Sequence, residues 1–366
     1  MLDLKAQHAP LRGELEAAVR RVLASNRFTS GDEVPAFEQE IAALLGVRRA
    51  VGVSSGTDAL LALLMAAGVG PGDEVVTTPF SFFATAEAIV RLGARPIFAD
   101  VDGDTLNIDP RAAAERLSPR TRAVVVVHLF GRLVRTAPLA TACAAREIPL
   151  LEDAAQAIGA CGREGAGQVR VGSIGAGAAL SFFPSKNLGG FGDGGMVLTD
   201  DERMASQVRV LRNHGASEKM RHEVVGGNFR LDELQAALLR VKLPHLTDWS
   251  NRRRLLAGLY LRGLAGLPVG LPAPDEGCVW NQFVVRVPAD RRGALIAHLA
   301  ARGIATAIYY PIPLHLQPAL KELGHRAGDF PIAERAAQEA LALPIYPSLT
   351  EGAVDRIATT VAQFFR

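Results

Sequence analysis

From about residue 50 to residue 200 short β-branched runs alternate with amphipathic stretches, a pattern that predicts repeated βα units around a mostly parallel sheet. The predicted strands are "AVGV" ending at Val53, "DEVVTT" after a "GPG" turn, "RPIFAD" ending at Asp100, "RAVVVVH" ending at His128 and "IPLLED" ending at Asp153. Helices are expected between them, one starting at Thr57, one near Phe83, and one at Asp109 and Pro110, where an acceptor caps the helix and proline fills its first turn. "ALSFFP" and "GGMVLTD" read as two further strands, an antiparallel edge that brings the sheet to seven. Residues 162–177 are glycine-rich and read as a mobile loop before a strand.

Beyond Asp232, "DELQAALLRVKL" and residues 249–264 read as long helices, and "LPVGLPAPDEG" as a linker. "VWNQFVVRV", "DRRGALIAHLAARG" and "ATAIYYP" then predict a strand, a helix and a strand, closed by a terminal helix over residues 350–366. The expected organisation is α/β: a large lobe over residues 1–245, with an N-terminal helical segment and a mostly parallel seven-stranded sheet flanked by helices, and a smaller α/β lobe over residues 246–366.

The chain has 366 residues, 49% of them hydrophobic, enough for a large core divided between two lobes. Forty basic residues stand against thirty-eight acidic ones, so no general field holds a polyanion and nucleic acid is not an expected partner. Cys143, Cys161 and Cys278 form no CxxC pair, which argues against a disulfide framework or a structural zinc site and fits a reducing cytoplasm. The N-terminal stretch mixes charges into its apolar positions, unlike a signal peptide. The longest apolar runs, such as residues 59–69, are about ten residues against the roughly 20 that span a bilayer, so no membrane segment is expected.

Ligands of open α/β sheets sit outside the carboxyl ends of the strands, which directs attention to the polar residues there. "SSGTDAL" follows the first strand: Gly56 lets backbone approach closely and Thr57 offers a hydroxyl near a helix start, a setting that favours phosphate, although Ser55 or Thr57 can equally be a plain cap. Asp153 ends "IPLLED", with Gln156 just beyond and Glu152 facing the opposite way. Such a carboxylate can cap a helix, bind a metal or pair with a protonated ring nitrogen, and only Asp100 and Asp102 stand at a strand end where they could complete a metal site.

"SFFPSKNLGGFGDGGM", residues 181–196, sets Lys186 between phenylalanines and glycines, where partial desolvation makes an amine nucleophilic. It lacks the G-K-[ST] of a Walker loop, and neither "GSIGAG" nor "SSGT" has dinucleotide-fingerprint spacing, which disfavours a nicotinamide cofactor. In "PFSFFATAEAI", Phe80, Phe82 and Phe83 have the spacing of core residues, while a ring exposed at the strand end can stack on a flat heterocycle. Phosphate donors, a strand-end acid, a stacking ring and a lysine, in this order along one α/β chain, match the demands of pyridoxal 5′-phosphate.

"SSGTDAL", "EDAAQAIGA", "SFFPSKNLGGFGDGGM", "RNHG", "GGNFRLDELQAALLRVKL" and "TAIYYPIPLHLQPAL" together resemble the DegT-type nucleotide-sugar aminotransferases, pyridoxal phosphate enzymes of fold type I. The resemblance covers nearly the whole chain. It implies that Lys186 holds the cofactor covalently and, once released, shuttles the proton between C4′ and the sugar carbon. It implies further that Asp153 pairs with the pyridinium nitrogen, that Gln156 lies against the cofactor ring or its oxygen, that Phe82 stacks on the other face, and that Gly56, Thr57 and Ser181 hold the phosphate. Asn228 resembles the asparagine that reaches the neighbouring subunit's cofactor, implying a homodimer with shared sites, and Arg230, Tyr309 and Tyr310 are implied substrate contacts. Phe229 and Ser185 stand where relatives often carry serine and glycine, and Tyr309 where some carry histidine.

The implied reaction moves an amino group from L-glutamate, through pyridoxamine 5′-phosphate, to a UDP- or dTDP-linked ketosugar, for a surface polysaccharide or a secondary metabolite. "YPIPLHLQPA" points to C3 of the sugar over C4. Amination at C4 of a 4-keto-6-deoxy sugar and a non-catalytic regulatory role are the alternatives, and Lys186 argues against the dehydrating relatives, which carry histidine there. His128, His214, His222 and His315 could serve as ligands or bases, but lone histidines are more often structural, and none is given a catalytic role.

Overall fold

In the computed structural model, which describes residues 2–164 and 167–366, the sheet order is β1-β9-β8-β5-β4-β2-β3, from strands β1 (Arg49–Val53), β2 (Glu74–Thr77), β3 (Arg95–Phe98), β4 (Thr121–Val127), β5 (Leu150–Asp153), β8 (Gly177–Ser181) and β9 (Gly195–Thr199). All seven expected strands are present. β2, β3, β4, β5 and β8 pair in parallel, and β9 runs antiparallel to both β8 and β1. The expected antiparallel edge is therefore internal: β8 and β9 lie between β5 and β1, and the edges are β1 and β3. Every residue of β9 is buried, as an interior strand with both faces covered requires.

The N-terminal segment forms α1 (Leu4–His8), α2 (Arg12–Ser25) and α3 (Glu33–Leu45). They are followed by α4 (Gly56–Ala66), α5 (Ala84–Arg91), α6 (Pro110–Glu115), α7 (Ala137–Ala144), α8 (Glu202–Leu211) and α9 (Glu233–Lys242). Alternate residues of the strands point to opposite faces, so Ala123 and Val125 join α4, α5 and α8 in one core while Val124 and Val126 join α6 and α7 in another. α3 and α9 cover the β8–β9 end of that second face through Phe37, Ile41, Ala236 and Leu239. Each such Val, Leu, Ile or Phe adds roughly 1.5–3 kcal/mol by leaving water.

The segment read as a mobile loop forms instead an antiparallel ribbon of β6 (Cys161–Glu164) and β7 (Gly167–Arg170), with residues 165 and 166 outside the described residues. A short irregular pair, β10 (Ala216–Glu218) and β11 (Arg221–His222), follows α8.

A further core gathers α10 (Leu246–Gly263), β12 (Phe283–Arg286), α11 (Ala289–Ala300), β13 (Ala340–Leu343), which α12 (Pro331–Glu339) precedes, and α13 (Glu351–Phe365). β12 pairs antiparallel with β13, so the second strand is "ALAL" and not the predicted "ATAIYYP", of which Ala307 alone bridges to Ala342. Pro311 and Pro313 lack the N–H groups a ladder needs, while the Ala and Leu of β13 have helical propensity that packing overrides. The linker segment is tied down, with Gly270 and Arg286 exchanging backbone hydrogen bonds of 2.7 and 2.8 Å. Among the described residues no helix is long and apolar enough to cross a membrane.

Candidate active site

Asp153 is the last residue of β5, in register with Val127 and Ala179, and only 5% exposed. Its Oδ2 accepts a 2.7 Å hydrogen bond from Thr85 Oγ1, which lies 3.1 Å from Ser81 Oγ, and its Oδ1 accepts from Ala155 N at 3.2 Å. Burial drives its pKa above the ordinary carboxylate value, against the pull of the Thr85 and Ala155 hydrogen bonds and the Lys186 charge. Burial also lowers the pKa of the Lys186 amine, which the Asp153 carboxylate pulls back up. Fold and desolvation thus place an acid and an amine in one another's field.

The Lys186 loop joins β8 to β9, and it is packed and not floppy. Lys186 N donates to Phe183 O at 2.8 Å, closing a turn. The buried Asn187 donates through Nδ2 to Val279 O at 2.9 Å and accepts from Asn281 Nδ2 at 2.8 Å. Phe191 N donates to Gln235 Oε1 of α9 at 2.8 Å. A Cβ on Gly189 would lie 2.3 Å from the Pro184 carbonyl oxygen, so glycine here permits close packing.

At the N-terminus of α4 the helix begins at Gly56, one residue earlier than expected, because Ser55 is the cap: its Oγ accepts from Asp58 N at 3.0 Å. A Cβ on Gly56 would lie 2.6 Å from Ser181 Cβ, so the close approach anticipated at this glycine is real. Gly56, Thr57 and Ser181 thereby converge where free helix amides and the dipole favour an anion. Asp153 stands two strands from β9 on the same sheet edge.

Gln156 is buried and joins two elements: Oε1 accepts from Phe130 N at 2.6 Å and Nε2 donates to Tyr310 Oη at 2.8 Å. Burial raises the Tyr310 pKa. Phe80 is buried as a core residue, whereas Phe82 is 59% exposed with its ring centroid 6.3 Å from that of Tyr310. The Tyr309 ring is 5.9 Å from Tyr310. Arg230 pairs through its backbone with Val53, beside the α4 N-terminus, and its Nη1 donates to Asn213 Oδ1 at 2.8 Å. Asn228 is exposed and bridges to Asn213.

Two features, Thr85 and Asn187, are not legible as site residues in the sequence. Thr85 is visible only as a hydroxyl two residues past the aromatic run, and Asn187 only as the lysine's neighbour. Glu152, fully buried, faces away from Asp153 as expected, and accepts from Gly172 N at 2.9 Å, from Ile174 N and Gly175 N at 3.1 Å, and from His128 Nε2 at 2.9 Å. His128 Nδ1 accepts from Val134 N at 3.1 Å, so Nε2 carries the proton and the ring is a structural tie.

A backbone cradle that a side chain would fill, a desolvated carboxylate and an amine of lowered pKa suit an aldehyde cofactor with an anionic group and a basic ring nitrogen. A model of the DegT/DnrJ/EryC1/StrS aminotransferase family matches residues 10–362. The chain is 44% identical to the "dTDP-3-amino-3,4,6-trideoxy-alpha-D-glucose transaminase" of Streptomyces venezuelae, over 99% of this chain and 95% of that one. It is 44% identical to a "Pleiotropic regulatory protein" of Geobacillus stearothermophilus, over 100% of this chain and 98% of that one. It is 43% identical to a "UDP-N-acetyl-3-dehydro-alpha-D-glucosamine 3-aminotranferase" of Acidithiobacillus ferrooxidans, over 99% and 96%. The crystal structure of S. venezuelae DesV with a ketimine intermediate superposes with a TM-score of 0.94 at 43% identity, covering 100% of this chain and 97% of that one. A Bacillus subtilis structure with bound cofactor PMP gives 0.90 at 31%, covering 96% and 81%.

Proposed function

Because this chain belongs to the DegT/DnrJ/EryC1/StrS aminotransferase family, we propose that it transfers the amino group of L-glutamate to C3 of a UDP- or dTDP-linked ketosugar. The observation that carries the chemistry is the buried Asp153 at the carboxyl end of β5, fixed by Thr85, with Lys186 on the loop that leaves the neighbouring strand β8. The names of relatives matching almost the full chain, which specify 3-amino products or a 3-aminotransferase, support C3.

Pyridoxal 5′-phosphate, when bound, supplies an aldehyde that carries the amino group as pyridoxamine 5′-phosphate and a protonated ring that withdraws electrons from the carbon losing its proton. In this reading Lys186 holds the group and its Nζ takes and returns that proton, which needs an amine that is not permanently charged; desolvation supplies this. Asp153, fixed by Thr85, holds the ring N–H proton. Gly56, Thr57 and Ser181 bind the phosphate, Phe82 covers one ring face, and Gln156 orients the ring while anchored to Phe130. Arg230, Tyr309 and Tyr310 contact substrate. Asn228, exposed in one chain, reaches the site of the other subunit in a cytoplasmic homodimer.

A regulatory role is favoured by the name of the G. stearothermophilus relative. The discriminating experiment is glutamate-dependent amination of a panel of nucleotide 3-keto and 4-keto sugars, reading product mass and nitrogen position. Nitrogen at C3 supports the proposal, nitrogen at C4 moves the regiochemistry, and no turnover by cofactor-loaded protein favours regulation.

A further inference from the structure

We propose that Lys242 is a positioning residue for Lys186, clamping the carbonyl of Gly189 from α9 while His8 of α1 closes the clamp from the other side. This rests on Lys186 being the residue that holds the cofactor.

Lys242 ends α9 and is 1% exposed. A buried ammonium is costly unless compensated, and its usual partner is a carboxylate. Lys242 has neutral partners instead. Its Nζ donates to Gly189 O, lies 3.0 Å from His8 Nε2, and sits 5.5 Å from the centroid of the Phe191 ring. The His8 ring packs on the same phenylalanine, centroids 4.8 Å apart. Burial brings the Lys242 pKa to about 8, and burial with the Lys242 charge brings His8 to about 4. The imidazole is therefore neutral, and Nε2 offers its lone pair to the ammonium. A carbonyl, a lone pair and a π-face surround the cation, each presenting its negative end.

Two of these partners, Gly189 and Phe191, belong to the Lys186 loop. Gly189 lies three residues past Lys186, and the loop's only other side-chain anchors named above are Asn187 to Val279 and Asn281, and Gln235 to Phe191. The backbone is thus fixed immediately after Lys186 by Asn187 and again at Gly189 by Lys242. An apolar residue of similar length would fill the space without the desolvation penalty, so the retained charge acts through what it holds. Because Lys186 must meet reacting atoms in a narrow geometry, a displacement of about 1 Å at its loop is felt in rate before it is felt in binding.

The test is Lys242→Met, which keeps the stem and removes the donor, with three readouts. Amide hydrogen exchange over residues 186–192 of the cofactor-free protein is expected to rise. Single-turnover reaction of the holoenzyme with glutamate is expected to slow roughly ten- to a hundredfold while glutamate affinity changes little. The pH midpoint of the cofactor's visible absorbance is expected to shift. Unchanged exchange together with an unchanged rate overturns the proposal. Where Lys242→Met fails to fold, His8→Leu removes only the second partner, and faster exchange at residues 186–192 supports the clamp while wild-type exchange overturns it. Exchange in cofactor-free protein is read whether or not Lys186 is the attachment point, so failure of the clamp and failure of the functional reading are separable.

Discussion

The Thr85 hydroxyl, on the second residue of α5, donates a 2.7 Å hydrogen bond to the Asp153 carboxylate at the end of β5. That bond holds the ionised form of a carboxylate that burial otherwise pushes towards protonation. Thr85→Val keeps the shape and removes the donor, so the Asp153 pKa rises further. Transamination is expected to fall roughly tenfold, the scale of one charge-assisted hydrogen bond, and the acid limb of the kcat/KM profile to move to higher pH. A profile superimposable on wild type contradicts the assigned role.

Asp153 itself gives a stability prediction for cofactor-free protein. Its folded pKa is raised above the unfolded one, so folding favours the protonated form. The stability it contributes is present below the ordinary carboxylate pKa of about 3.9 and is lost as pH rises through the folded value. Asp153→Asn should therefore have the higher Tm at neutral pH, with the difference closing as pH falls towards about 4. Thermal melts of both proteins across this range check it, and activity of the loaded variant should drop by roughly a hundredfold or more.

Gly56 and Ser181 are in steric contact. Gly56→Ala places a Cβ 2.6 Å from Ser181 Cβ and should destabilise by roughly 1–3 kcal/mol, with weakened affinity for pyridoxal 5′-phosphate. Removing the opposing Cβ in Gly56→Ala with Ser181→Gly should restore much of the stability. Denaturant titration of both single variants and the double variant decides, since an additive loss in the double variant would place the strain elsewhere.

Gln156→Leu strands the Phe130 N–H and removes the donor to Tyr310. A buried unsatisfied amide costs roughly 1–3 kcal/mol. Tyr310→Phe removes only the second contact, so it should cost less stability than Gln156→Leu and act mainly on KM for the sugar. Denaturation midpoints and steady-state kinetics of the two variants check the order.

The sheet was legible because its strands are buried on both faces and read as continuous runs, as in "RAVVVV" and "LLED", punctuated by glycine and proline. Asp153 and Gly56 were legible because strand ends are where such sheets bind ligands. Local pattern failed where distant packing decides. "ALAL" of β13 has helical composition and is a strand only because β12 is beside it, and "ATAIYYP" is not a strand because Pro311 and the following Pro313 withhold ladder donors. Thr85, Asn187 and Lys242 act through partners 68, 92 and 53 positions away, respectively, a separation that no periodicity encodes.

In the proposed reaction Lys186 forms the covalent link to the cofactor. Reduction of the pyridoxal 5′-phosphate-loaded protein with borohydride, then peptide mapping, should place the pyridoxyl label on Lys186, within residues 181–196, and Lys186→Ala should carry none. Label on Lys5, Lys219, Lys242 or Lys321, or no label at all, would contradict it.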